Sequence, residues 1–141
     1  FYPLGIEAPE EKEYLLRSIL SIEDDGSLVF NGNIPQGSRV RLMIASKESA
    51  LESIKDAAHQ AKNSLGGVEP KLIIVFNSVS ISRLLGQEEK LLETEVKRVF
   101  GERTPILVLC TNAQQAPLNR EGFLGKTYFH NNSVTVLALS G

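Results

Sequence analysis

Chemistry in this 141-residue chain can draw on one thiol, Cys110, two imidazoles, His59 and His130, and a set of uncharged polar side chains that follow two apolar runs. A nucleophilic cysteine needs a base within reach. His130 could approach Cys110 across neighbouring strands, whereas His59 falls inside a helical pattern, close to its apolar stripe. No spacing signature supports the Cys110–His130 pair, and a thiol that ends a buried strand ordinarily behaves as a small apolar side chain. One cysteine and two histidines are too few for a structural zinc site. The expectation is a non-enzymatic protein that needs no cofactor and no metal.

Three further patterns invite a chemical reading and then lose it. Gly122-Phe123-Leu124-Gly125-Lys126-Thr127 ends like a phosphate-binding loop, but Arg120 stands where that loop needs its first glycine, no buried strand precedes it and no helix follows. A flexible turn is the ordinary explanation. Glu88, Glu89, Glu93 and Glu95 are interleaved with Lys90 and Lys97 on an amphipathic helix, which reads as a solvated face and not an acid/base cluster. Asn131-Asn132-Ser133 matches a glycosylation sequon, yet nothing at the N-terminus looks like a signal peptide.

A more informative set lies at the ends of the apolar runs Lys71 to Phe76 and Ile106 to Cys110. Asn77, Ser78, Ser80 and Arg83 follow the first; Thr111, Asn112, Gln114 and Gln115 follow the second. If the two runs are parallel neighbours, both polar tails emerge at one edge of the sheet, where small ligands tend to sit in α/β crevices. Uncharged donors and acceptors with one arginine suit a small zwitterion or carboxylate, Arg83 forming a bidentate pair with the acid. Equally, these are residues that would cap strands and start a helix in water. The residues themselves leave both readings open.

The elements that must position this set can be read from periodicity. Leu16 to Ile22, Ser27 to Asn31 and Ser38 to Ser46 read as consecutive antiparallel strands. In the third, Val40, Leu42 and Ile44 alternate with Arg39 and Arg41, which predicts one buried and one wet face. Asp24-Asp25-Gly26-Ser27 supplies a tight hairpin turn. Leu51, Ile54, Ala58, Ala61 and Leu65 fall at helical spacing after a cap at Ser46 or Ser49, the latter with Glu52 as its capping-box partner. The run from Lys71 to Phe76 is a β-branched, wholly apolar strand of the kind buried on both faces. A second helix is predicted from about Gln87 to Phe100, with Glu88 and Glu89 in its first turn and Lys97 and Arg98 in its last. Strands at Ile106–Cys110 and Val134–Leu139 follow, separated by a loop from Thr111 to Lys126. The expected order is βββαβαββ: an α+β fold with a mixed, mainly antiparallel sheet of about six strands and two helices on one face.

Composition narrows the class. The length suits a single domain over residues 1–141, able to bury about two thirds of the surface its unfolded chain exposes. One cysteine excludes an internal disulfide framework, and the longest apolar run is far too short to cross a bilayer. A formal net charge of −2 leaves no basic footprint for nucleic acid and no polybasic membrane patch. A cytoplasmic location is expected. The start at Phe1 without methionine suggests a piece of a longer protein.

Several blocks of the chain resemble the C-terminal half of FIST sensory domains. They are Pro3-Leu4-Gly5-Ile6, Tyr14 to Leu20, Asp24 to Leu28, Ile34 to Met43, Val75-Phe76-Asn77-Ser78 with Arg83-Leu84-Leu85-Gly86, and Phe129 to Leu137. Ser78 stands where that family commonly has a cysteine, and Ile81 where an arginine commonly follows, with Arg83 slightly later. Cys110 to Gln115 replaces the family's Gly-Phe-Tyr and Gly-Glu segment. The resemblance implies a sensory module of bacterial and archaeal signal-transduction proteins that binds a small ligand such as an amino acid. It implies pairing with a FIST N-terminal half, or an output domain, in the same protein. The expected site is Asn77, Ser78, Ser80, Arg83, Thr111, Asn112 and Gln114. Neither nucleic acid nor direct membrane insertion is expected. The competing expectations are a protein-interaction scaffold without a small ligand, and a hydrolase or transferase using Cys110 with His130.

Overall fold

The computed structural model describes residues 2–7, 13–118 and 127–141. Among them are ten strands and three α-helices, an α+β fold as expected. In chain order they are β1 (Leu4–Glu7), β2 (Tyr14–Arg17), β3 (Ile19–Ile22), β4 (Leu28–Phe30), β5 (Val40–Leu42), α1 (Lys47–Ser64), β6 (Leu72–Ser78), α2 (Val79–Leu85), α3 (Lys90–Phe100), β7 (Ile106–Thr111), β8 (Gln114–Ala116), β9 (Tyr128–His130) and β10 (Val134–Leu139). A 3-10 turn, Gly86–Glu88, joins α2 to α3. No helix among the described residues is long and apolar enough to cross a membrane. The glycine-rich Gly122–Thr127 segment lies, except for Thr127, outside the described residues.

The strands form two three-stranded sheets, ordered β2-β1-β5 and β10-β6-β7, and two ribbons, β3-β4 and β8-β9. The first three predicted runs are therefore not a meander. Ser18 breaks the first run in two: its N–H donates to Asn31 Oδ1 at 3.0 Å and its hydroxyl to Asn132 Oδ1 at 2.8 Å, so the backbone turns from one sheet into another. The hairpin at Asp24–Ser27 forms as predicted, β3 against β4, with Gly26 at φ 82°. β5 pairs with β1 instead of β4. The predicted split into a buried and a wet face is also absent: Val40, Leu42 and Ile44 are 44, 65 and 78% exposed and Arg39 and Arg41 are exposed too, because β5 is an edge strand that no layer of the described chain covers.

α1 begins at Ser46, whose hydroxyl accepts from Ser49 N–H while Ser49 closes a reciprocal capping box; Ser49, not Glu52, is the partner. Ile54 and Ala58 on its inner stripe are fully buried with Ile73 and Val75 of β6, Leu85 of α2, and Leu92 and Val96 of α3. Each of the larger side chains contributes about 1.5–3 kcal/mol by leaving water. Val75 lies opposite Val136 of β10 and Val108 of β7; on this face the three helices seal β6 and cover Val134, Val136 and Ala138 of β10, while Val108 on the edge strand β7 stays 38% exposed. The other face is not sealed. Leu72, Ile74 and Phe76 are half-buried there, beside exposed Leu107 and Leu109 of β7 and Leu137 and Leu139 of β10. The expectation that Lys71–Phe76 is buried on both faces, and that Cys110 ends a buried strand, is thus corrected: β7 is an edge strand, and its central residues and Cys110 are exposed.

A smaller core, Ile6 and Leu15 with Ile34, Leu118 and Tyr128, joins the β1-β2 strands to the β8-β9 ribbon. Arg17 is buried beside it. Its Nε donates to the Asn33 carbonyl at 3.1 Å and its Nη1 to the carbonyls of Leu16 and Phe129, at 2.8 and 3.1 Å. Its guanidinium stands 5.8 Å from the centre of the Phe129 ring. Burial lowers its affinity for the proton relative to free arginine. Gly32 packs so closely on Arg17 that a Cβ there would fall 2.8 Å from both Cδ and Nε.

Candidate functional site at the ends of two parallel strands

β6 and β7 are parallel neighbours, with Asn77 opposite Cys110 and Ser78 opposite Thr111. The two polar tails therefore emerge side by side. The polar stretch after β6 forms a helix, α2, because Ser78 caps it: the Ser78 hydroxyl accepts from Ile81 N–H at 3.3 Å. Ser78 also donates its backbone N–H to the Ser133 carbonyl at 3.1 Å, which fixes the start of β10 against the end of β6.

Around these ends runs a chain of neutral hydrogen bonds. Asn77 Nδ2 donates to Ser82 Oγ at 2.8 Å, and Ser82 Oγ lies 3.7 Å from Cys110 Sγ. Thr111 Oγ1 donates to the Asn77 carbonyl at 3.3 Å and accepts from Gln114 Nε2 at 2.6 Å. Gln114 Oε1 accepts from Ser133 Oγ at 2.6 Å. Asn77, Ser78 and Gln114 are buried and Thr111 is half-buried. Asn77 Oδ1 is itself buried and has no hydrogen-bond partner. An orphaned amide oxygen in that position costs stability unless a ligand or water satisfies it.

The structure thus gathers Asn77, Ser78, Thr111 and Gln114 with two residues the sequence set did not include, Ser82 and Ser133. It does not bring in the rest: Arg83 and Asn112 are exposed, and Ser80 is half-buried on α2 with no bond into the network. Ser82 could have been anticipated from its place one helical turn beyond the Ser78 cap. Ser133 could not, because its link to Gln114 joins two different strands.

A cleft of about 770 Å³ opens nearby, where the β10-β6-β7 sheet and its helices diverge from β2 and the β8-β9 ribbon. Gln114, Asn131, Asn132 and Ser133 line it; Asn77, Ser78, Ser80, Arg83, Thr111 and Asn112 do not. Asn131 Oδ1 and Asn132 Nδ2 are further buried atoms without a partner. Burial of Asn131 also removes the sequon reading, since a glycosyl acceptor must be exposed.

The remaining candidates fall apart spatially. His130 Nε2 donates to the Ala116 carbonyl at 3.0 Å, and burial pushes the imidazole below its ordinary proton affinity, with Arg17 adding to the effect. Cys110 meets Ser82 instead, and no hydrogen bond links thiol to imidazole among the described residues. His59 is exposed on α1. Three of the clustered carboxylates are paired on the surface, Glu88 with Lys47, Glu93 with Lys97 and Glu95 with Arg98. No three His, Cys, Asp or Glu side chains gather as a metal site among the described residues.

The family model described as the FIST C domain matches residues 1–117. No curated protein matches the chain, and no solved structure does.

Proposed function

We propose that this chain, which belongs to the FIST C domain family, is a sensory domain of a signal-transduction protein and recognises a small polar metabolite such as an amino acid. The family supports the sensory role. The observation that supports a ligand at the β6–β7 edge is the buried, unpartnered Asn77 Oδ1 beside Ser82, Thr111 and Gln114. A bound ammonium or amide donor would satisfy that oxygen, and a carboxylate would accept from hydroxyls nearby. Arg83, exposed on α2 next to Ser82 in sequence, is the cation this reading assigns to the ligand acid. Ligand contacts that favour one arrangement of this domain against a partner domain would then carry the signal. No catalytic role is assigned to Cys110 or His130. A free, exposed thiol suits a reducing cytoplasm.

The test is thermal unfolding of the full protein across the amino acids and small carboxylates. Ligand at a hundred times its dissociation constant adds about 2.7 kcal/mol. Asn77→Leu removes the orphaned oxygen and is expected to abolish the shift. A flat response to every compound would overturn the reading.

A second reading, a protein-interaction scaffold, is favoured by the unsealed apolar face of the β10-β6-β7 sheet. Leu107, Leu109, Leu137 and Leu139 lie exposed there side by side. A continuous apolar face of this kind marks a surface that associates. Leu109→Asp would break a partner contact on that face while leaving small-ligand shifts unchanged.

A further inference from the structure

β10 ends its sheet, and its outer edge carries no partner strand among the described residues. Ser78 N–H bonds the Ser133 carbonyl directly across the ladder. In that antiparallel register alternate residues turn their backbone groups toward β6, which leaves the N–H and C=O of Val134, Val136 and Ala138 pointing outward. The strand contains no proline, no charge and no bulge. Natural proteins use those devices to keep edges from pairing, and an edge without them is a template for another strand.

This edge is also the floor of the cleft. Five successive residues, Ser133 to Leu137, line it, so the cleft runs alongside the strand and meets both faces of the sheet. Ser53, Asp56, Ala57, Gln60, Ala61 and Ser64, one stripe of α1, form its helix-side wall. Phe76 and Leu137 lie on the opposite side of the sheet plane. That is the setting a fourth strand of this sheet would occupy, between a helix flank and an apolar face.

We propose that this cleft binds an extended, basic peptide segment of another polypeptide, which adds as a strand to β10. The carboxylate on the α1 wall of the cleft is Asp56, and no lysine or arginine lines the cleft among the described residues. Charge complementarity therefore selects a cationic segment. A second copy placing its own β10 there would bring the two acidic rims together in a chain already at net −2. A small solute would leave most of the outward backbone groups unpaired. The occupant alternates: apolar side chains face Phe76 and Leu137, and lysine or arginine lies under α1 near Asp56. Main-chain bonds supply affinity and the alternate side chains specificity. The proposal stands on the β10 edge and is independent of any metabolite at Asn77.

The probe is an end-blocked peptide of the length of β10 in which valine and lysine alternate, added to the full protein at low ionic strength. Binding is expected to slow hydrogen exchange at the amides of Val134 and Val136. The same peptide with glutamate for lysine is expected not to bind. Asp56→Asn should weaken the lysine peptide about two- to fivefold, the range of one exposed ion pair. Val136→Pro removes an outward N–H without touching the β6 ladder and should abolish binding. If that variant does not fold, a backbone N-methylated peptide gives the same test on the wild-type protein. Absence of amide protection, equal binding of the glutamate peptide, or binding that survives N-methylation would each overturn the proposal.

Discussion

Gly32→Ala is expected to destabilise the protein through one identifiable collision. Gly32 is not at positive φ, so alanine is allowed by its backbone, and the smaller entropy of the unfolded variant would by itself stabilise by about 0.4–1 kcal/mol. Against that, the new methyl would lie 2.8 Å from Arg17 Cδ and Nε. A surface arginine would swing away at little cost. Arg17 cannot, because three carbonyl oxygens hold its guanidinium and it is buried. Overpacking of this kind costs about 1–3 kcal/mol, which leaves a net loss of about 0.5–2 kcal/mol after the entropic gain. For a chain of this size each kcal/mol lowers the midpoint by about 2–4 °C. The assay is urea unfolding of Gly32→Ala, Arg17→Ala and the double variant. In the Arg17→Ala background both 2.8 Å contacts are gone and the next neighbour of the methyl is Asn131 Oδ1 at 3.3 Å, so the substitution should be close to neutral. A Gly32→Ala cost that is the same in both backgrounds, or that is absent in the wild type, refutes the reasoning.

Other outcomes follow from the same geometry. Ser78→Ala removes the cap of α2 and should cost about 1 kcal/mol in urea unfolding, with the Ile81 amide exchanging faster. Leu92→Ala, in the sealed core, should cost about 2–5 kcal/mol, whereas Leu107→Ala on the uncovered sheet face should stay within about 0.5 kcal/mol. His130 binds its proton less readily folded than unfolded, so its contribution is complete above the ordinary histidine value of 6.5 and is lost as pH falls through its lower folded value. Stability measured from neutral to mildly acid pH should therefore decline, and His130→Gln should flatten that decline.

The features legible in the sequence are those set by neighbours along the chain. The Asp24–Ser27 turn, the Ser46 cap and the Ile54–Ala58 stripe each need only a few consecutive residues, and each is found in place. The parallel pairing of β6 and β7 entered the sequence reading only as a condition, because a helix between two apolar runs permits a crossover without requiring one; the structure supplies it. Alternation at Val40, Leu42 and Ile44 misled, because period two says that a strand has two unlike faces and not which face another element covers. Leu107 to Leu109 misled likewise: apolar content on both faces signals burial only if the cover belongs to the same chain. β8 and β9, at three residues each, are too short to leave a period. Of the candidate site, Asn77, Ser78, Thr111 and Gln114 were visible from their place after the two runs. Their bonds to Ser82 and Ser133, and the exposure of Arg83, depend on α2 and β10 and could not be read from spacing.

The order β10-β6-β7 has a bearing on biosynthesis. β6 receives one neighbour only after α2 and α3 have been made, and the other only after β8 and β9, so neither hydrogen-bonded flank is local in the sequence. During translation the Ile73 and Val75 side of that strand can nestle under α1 early, while both of its backbone flanks wait for segments still to leave the ribosome. Such a nascent chain is sticky for as long as it waits. A messenger truncated just before the Val134 codon should yield a product that chaperones retain and proteases clear, even though every residue of α1, α2 and α3 is present in it.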